Sequence, residues 1–289
     1  MYKFIKKHKK VVILLGLLVF LVGCKSVIDP KTREVLEQYV IRLSDKFPFG
    51  KEGYGWFATF IVWPVAQMFN FAAKYTGAFW SLIIVTILID LAKMPSTIKS
   101  TIQQQKMTAL QPEVNRIKEK FRGRDDKQAK MLEATEIQKL YDKHEINMLG
   151  SLIPTFLQLP IILAVFQAVQ RADLIINGEF LGQSLKGTPK EGFATGNVVY
   201  IGIFIGMTIA QIASTYLPIY LEKQKNKNRP KVAQEGPNSQ GMMLFSVGMV
   251  VLLAFTWNIG MSVYWGISAL TRLAQTLYVK YAHTDKKKK

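Results

Sequence analysis

The sequence predicts an all-α, polytopic membrane protein with five transmembrane helices, an outer interfacial helix and a cytoplasmic helical hairpin. Three observations predict it. Of the 289 residues, 49% are hydrophobic. Much of that content lies in runs near the ~20 residues that cross a hydrocarbon core. The formal net charge is nonetheless +18, and the basic residues lie between the apolar runs rather than among them. That segregation fits positive loops held at the cytoplasmic face and speaks against a DNA-binding protein. Finally, apolar residues recur at helical spacing through a long charged segment after the first run.

The composition also excludes chemistry. Cys24 is the one cysteine, so the chain can close no internal disulfide and holds no cysteine cluster for zinc. His8, His144 and His283 are scattered without metal-ligand spacing, and no metal or cofactor is expected. No G-x-x-x-x-G-K-[ST] run is present to cradle a nucleotide.

Residues 1–23 read as a lipoprotein signal peptide. Lys3, Lys6, Lys7, Lys9 and Lys10 precede the apolar run Val11 to Val22, which is too short for a comfortable span. The run ends in Leu21-Val22-Gly23-Cys24, which resembles a bacterial lipobox. That implies a mature chain starting outside the membrane at Cys24, with a covalent diacylglycerol or acyl lipid on its thiol. Such a lipid tethers but does not span. The other reading is an uncleaved anchor helix.

Residues 24–52 form a polar extracellular linker containing Pro30 and Pro48, with one short helix expected near Thr32 to Leu43. From Gly53 to Tyr75 the chain mixes Trp56, Phe57, Phe60, Trp63, Phe69 and Phe71 with Gln67, Asn70 and Lys74. Aromatic residues with polar partners suit the headgroup zone, so this is the interfacial helix. An extra span is the competing reading. The first span runs from about Gly77 to Ser96 and carries Asp90 and Lys93.

Residues 98–146 hold eleven Lys or Arg and eight Asp or Glu. Leu110, Val114, Ile117 and Phe121, then Met131, Ile137 and Leu140, mark two amphipathic helices around a turn at Gly123 to Asp126. The second span is about Met148 to Val169. A loop at 171–195 then balances Arg171, Lys186 and Lys190 against Asp173, Glu179 and Glu191. The third span, about Asn197 to Leu217, precedes a loop carrying Lys223, Lys225, Lys227, Arg229 and Lys231. A short fourth span, Met242 to Trp257, turns at Asn258 to Gly260 into a fifth, about Met261 to Tyr281. Residues 282–289 form a basic tail ending in Lys286 to Lys289.

Counted from an outside N-terminus, the hairpin, the 221–240 loop and the tail fall inside, and the weakly basic 171–195 loop falls outside. The positive-inside rule therefore supports five spans, with the N-terminus out and the C-terminus in. The setting is the bacterial cell membrane.

From residue 53 to 281 this order resembles the YidC family of insertases, which includes mitochondrial and chloroplast members. Local patterns carry the resemblance. The hairpin opens Leu110-Gln111-Pro112-Glu113 and closes Leu140-Tyr141-Asp142-Lys143-His144. The second span opens Asn147-Met148-Leu149-Gly150 and continues from Pro154 through Gln158 and Pro160 to Ile161. The last span holds Tyr264-Trp265, with Gln275 beyond. Taken singly, Pro154 and Pro160 bend a helix, Gln158 is interhelical glue, and Tyr264 and Trp265 are interior packing or an interface belt.

The resemblance implies an insertase and chaperone for nascent membrane proteins, working through a hydrophilic groove open to cytoplasm and lipid. It implies no enzyme activity. Its implied partners are the nascent clients, membrane lipid, the Sec translocon and the ribosome. It also implies an arginine in the first span, five residues before a proline. Here that position is Asp90, followed by Lys93 and Pro95, with Thr86 one turn earlier. Three readings stand open. Asp90 and Lys93, three residues apart, satisfy each other structurally. Alternatively, the groove keeps a cation through Lys93 or Arg272. In the third, the chain is a specialised paralogue acting as an assembly factor. A reading from another class is a small ion- or proton-coupled transporter with Asp90 as its ion site.

Overall fold

The computed structural model describes residues 35–284, apart from 52, 53, 125, 147 and 226–238. The signal peptide with Cys24, the terminal lysines Lys286 to Lys289, and Lys227 to Lys231 lie outside the described residues. The chain is mostly helical and forms two units. The first comprises residues up to Val85 with Pro160–Gly187, and the second Thr86–Leu159 with residues from Thr188 onward.

In the first unit the helix expected near Thr32 to Leu43 is absent among the described residues. A single 3-10 turn, Glu37–Tyr39, gives way to extended backbone at Val40. The reason is tertiary. The Ile41 N–H donates to the Arg171 carbonyl at 2.7 Å, and the Ile41 carbonyl accepts from the Asp173 N–H at 3.0 Å. Backbone groups spent across the fold are not free for a local helix, and the fully buried Ile41 side chain adds apolar burial to the same contact.

A π-helical turn at Ala58–Val62 leads into α1, Trp63–Thr76. Pro64, which has no N–H to donate, stands at the junction of the π-helical turn and α1. Gly77 ends the helix at φ 81 and donates its N–H to the Ala73 carbonyl. Val62, Ala66, Phe69, Asn70 and Ala73 recur at helical spacing and are buried. Asn70 is fully buried, its Nδ2 donating to the Ile41 carbonyl at 2.6 Å and its Oδ1 accepting from the Leu174 N–H at 3.0 Å.

Next comes α2, Ala78–Ala109, which continues through Pro95 well beyond the span end expected at Ser96. Pro95 removes one helical rung. Beside it, the Thr97 hydroxyl donates to the Lys93 carbonyl at 3.1 Å. α2 contributes residues to both units.

The stretch expected as a plain loop, 171–195, is ordered. It holds α6, Asp173–Ile176, and a small antiparallel hairpin of β1, Glu179–Phe180, and β2, Gln183–Ser184. The hairpin turns through Leu181 and Gly182, both at positive φ, as a two-residue turn requires. Arg171, counted in the sequence as a loop charge, is 1% exposed, with its guanidinium over the rings of Tyr39 and Tyr54 at 5.4 and 5.2 Å. Gly178 sits so close to α2 that a Cβ there would lie 2.1 Å from the Ala78 Cβ and 2.8 Å from the Leu174 carbonyl. Neither neighbour is a flexible chain end. Gly178→Ala is therefore expected to destabilise this unit by about 1–3 kcal/mol. The check is a lowered thermal midpoint of the detergent-purified protein, with Gly202→Ala, where a Cβ meets open space, as control.

In the second unit, α3, Gln111–Lys120, pairs with α4, Lys127–Lys143. Leu110, Val114, Tyr141 and Ile146 form their core, with Met107, Ile137 and Leu140 packed against it. Met131, expected in that stripe, is 65% exposed. It lies six residues before Ile137, a spacing that places it on another face of the helix. Asp126 caps α4 by accepting the Ala129 N–H at 2.9 Å, and that bond holds its carboxyl below the usual range.

α5 is Met148–Arg171. Thr188 and Glu191 form a capping box on α7, Pro189–Thr195. Then follow α8, Val198–Lys225, α9, Ser239–Thr256, and α10, Ile259–Thr284. Asn258 starts α10 by accepting the Met261 N–H at 3.1 Å. Among the described residues, Ala78–Gln103 and Val198–Leu217 are long and apolar enough to cross a membrane, and Pro160–Arg171 and Val247–Thr256 are shorter apolar helices.

Candidate functional site

Thr86, Asp90, Lys93 and Arg272 lie within the second unit, on the long helices α2 and α10, and further polar residues stand on α8. On α2, Thr86, Asp90, Lys93, Thr97 and Ser100 recur every three or four residues, so they share one face. Thr86, Asp90 and Ser100 are buried. On α8 the buried polar residues are Gln211 and Ser214, and on α10 they are Ser262, Ser268 and Gln275. Ser268, Arg272 and Gln275 again share a helical face.

The charges are arranged in a short series. Lys93 Nζ lies 2.5 Å from Asp90 Oδ1, with 17% and 6% of the two side chains exposed. The Arg272 guanidinium donates to Gln211 Oε1 at 2.7 Å, tying α10 to α8. Asp90 is also among the groups whose charge acts on Arg272. The group therefore sets one carboxylate against two cations, a formal net charge of +1. Asp90 Oδ2 and the hydroxyls of Ser262 and Ser268 have no hydrogen-bond partner among the described residues. A buried polar atom left in that state costs about 1–3 kcal/mol, so these helices carry polarity that apolar packing alone would remove.

The geometry bears on two of the sequence readings without deciding between them. Asp90 and Lys93 pair within their helix, and Arg272 stands in the same unit as a further cation. Gln211 was missed because one glutamine in an apolar run carries no periodic signal; its three-residue spacing to Ser214 was the available hint. Tyr264 and Trp265 are both buried, and the Trp265 ring stacks on Trp257 at 5.2 Å, so they belong to the interior. Pro160 lies in α5 and is half-buried. Pro154 and Gln158 also lie in α5, and their side chains are outside the described set.

The other face of α8 is different. Ile209, Ile212, Tyr216 and Tyr220 are exposed there and, with Leu273, line an apolar groove of about 530 Å³. None of the polar candidates lines that groove. α8 therefore separates a polar inner face from an apolar outer one.

Comparison with known proteins matches residues 70–287 to the family model described as 60Kd inner membrane protein. The chain is similar to membrane protein insertase MisCA of Bacillus subtilis, with 27% identity over 92% of this chain and 88% of the relative. It is similar to membrane protein insertase YidC 2 of Listeria innocua, with 26% identity over 95% of this chain and 83% of that protein. Similarity to membrane protein insertase YidC of Mycoplasmopsis pulmonis is 28% over 79% of this chain and 39% of that longer protein.

Proposed function

This chain belongs to the 60Kd inner membrane protein family, and on that premise we propose that it inserts nascent membrane proteins into the bacterial cell membrane and helps them fold. The observation that carries the reading is the presence, within apolar helices of one unit, of the Asp90–Lys93 ion pair and the Arg272–Gln211 hydrogen bond. A client segment must take polar flanks across hydrocarbon, where each unsatisfied backbone or side-chain group costs several kcal/mol. A hydrophilic groove built on these residues keeps such groups solvated and shortens the apolar distance. No bond is made or broken, so the activity is that of a chaperone rather than an enzyme.

In this reading α2, α5, α8, α9 and α10 are the five spans. The N-terminus is outside, lipidated at Cys24, and α1 lies in the outer interface. The α3–α4 pair, the 221–240 loop and the basic tail face the cytoplasm, where Lys286 to Lys289 meet anionic lipid or ribosomal RNA. Clients arrive from the ribosome directly or through the Sec translocon.

The test is complementation. Cells depleted of their resident insertase should recover insertion of a reporter membrane protein when this chain is expressed. A photo-crosslinker at Gln211 should capture the reporter during its synthesis. Full accumulation of the chain without recovery or crosslinks would overturn the reading.

A further inference from the structure

The helix that begins in the π-helical turn and continues as α1 has two apolar faces. Val62, Ala66, Phe69 and Ala73 are turned into the first unit. Phe60, Pro64, Met68, Phe71 and Tyr75 follow at helical spacing on the other side, and all but the half-buried Pro64 are exposed. Phe47 and Phe49 extend that surface beyond the helix, their rings 5.7 and 6.4 Å from Phe60. A contiguous exposed aromatic surface of this kind marks a contact with something apolar.

Its margin is basic. Lys46, Lys51 and Lys74 are exposed, with the Lys51 ammonium 5.2 Å from the Tyr54 ring and the Lys74 ammonium 5.6 Å from the Tyr75 ring. Two described acids nearby, Glu37 and Asp45, are engaged with Arg42. Glu37 forms an ion pair with its guanidinium, and Asp45 accepts its N–H at 2.8 Å. Rings that reach into acyl chains, bordered by ammonium groups at the depth of the phosphates, fit a lipid with a negative headgroup.

We propose that the Phe47–Phe49 turn and the exposed stripe of α1 form a docking surface for anionic phospholipid, with Lys46, Lys51 and Lys74 on its phosphates. The inference rests on the interfacial placement of α1 given above and adds headgroup selection to it. The surface holds the first unit at a fixed depth and draws anionic lipid to that end of the protein.

The full chain is reconstituted in nanodiscs of phosphatidylcholine containing brominated acyl chains on either phosphatidylcholine or phosphatidylglycerol. Quenching of tryptophan fluorescence then reports contact. The wild-type chain is expected to be quenched at lower fractions of brominated phosphatidylglycerol than of brominated phosphatidylcholine. The preference should fall by about fivefold for each lysine neutralised in Lys46→Gln, Lys51→Gln and Lys74→Gln. Phe47→Ser with Phe49→Ser should lower quenching by both lipids while circular dichroism is unchanged. Equal quenching by the two lipids, or a preference that survives the triple lysine variant, would overturn headgroup selection and leave the interfacial placement standing. No change in quenching by either lipid in the double phenylalanine variant would sink the placement itself, and the surface would then belong to a protein partner.

Discussion

Asp90→Asn is expected to cost the second unit about 3 kcal/mol and to abolish insertion, because it leaves Lys93 in a largely buried place without its carboxylate. The pair is close, at 2.5 Å, and only 6% of the Asp90 side chain and 17% of that of Lys93 are exposed. The contact alone is not the source of that cost. Two charges withdrawn from water gain little net stability by meeting, but removing one strands the other. The measurement is the thermal midpoint in detergent together with reporter insertion in depleted cells. Lys93→Met on top of Asp90→Asn should restore most of the midpoint, since it removes the stranded charge. It should not restore insertion, because the charges on α2 are gone.

The exchanged pair, Asp90→Lys with Lys93→Asp, separates a simple intrahelical pair from a cluster that includes α10. A pair that matters only to itself tolerates the exchange. In this protein Arg272 stands in the same unit as a further cation, and the exchange puts a cation in place of Asp90. Partial recovery of stability, with insertion still lost, is the expected result. Full recovery of insertion would show that Arg272 and Asp90 act separately.

The helices were legible in the sequence where the periodicity was strong. The α3–α4 pair is an example, since Leu110, Val114, Ile137 and Leu140 keep helical spacing through a charged background and all join its core. Met131 misled because apolar residues at the wrong spacing look the same in composition. The polar candidates on α2 and α10 were visible for a physical reason: a charge inside an apolar run is costly, about 2.5–3.5 kcal/mol at the centre of a span, and so stands out. Their grouping was not legible. Nothing in the local sequence says that Gln211 and Arg272, sixty-one positions apart, meet at 2.7 Å. The contacts of the first unit were hidden for the same reason. Ile41, Asn70 and Leu174 are distant in sequence.

Asn70→Ala is expected to lower the stability of the first unit by about 3 kcal/mol, the scale for a lost buried hydrogen bond plus a stranded partner. The side chain joins three segments, since it bonds the Ile41 carbonyl and the Leu174 N–H from its own place on α1. Alanine leaves that N–H without its acceptor. The Ile41 carbonyl keeps the Asp173 N–H and loses less. Asn70→Asp is the sharper variant because it keeps the shape. One carboxylate oxygen can still accept from Leu174, but the other faces the Ile41 carbonyl, acceptor against acceptor. Only the protonated acid can donate there. Its folded-state pKa should therefore be raised above the unfolded value. The sign follows directly: stability of this variant is fullest below the unfolded carboxyl pKa and is lost as pH rises through the folded one. Wild-type protein has an amide at this position and should show no such loss over that range. Thermal midpoints of both proteins between pH 4 and pH 8 would check it, about the window in which a raised carboxyl titrates. A variant as stable as wild type at the upper end would mean that the carboxylate finds another donor, and that Asn70 is not the joint between the N-terminal segment and α6.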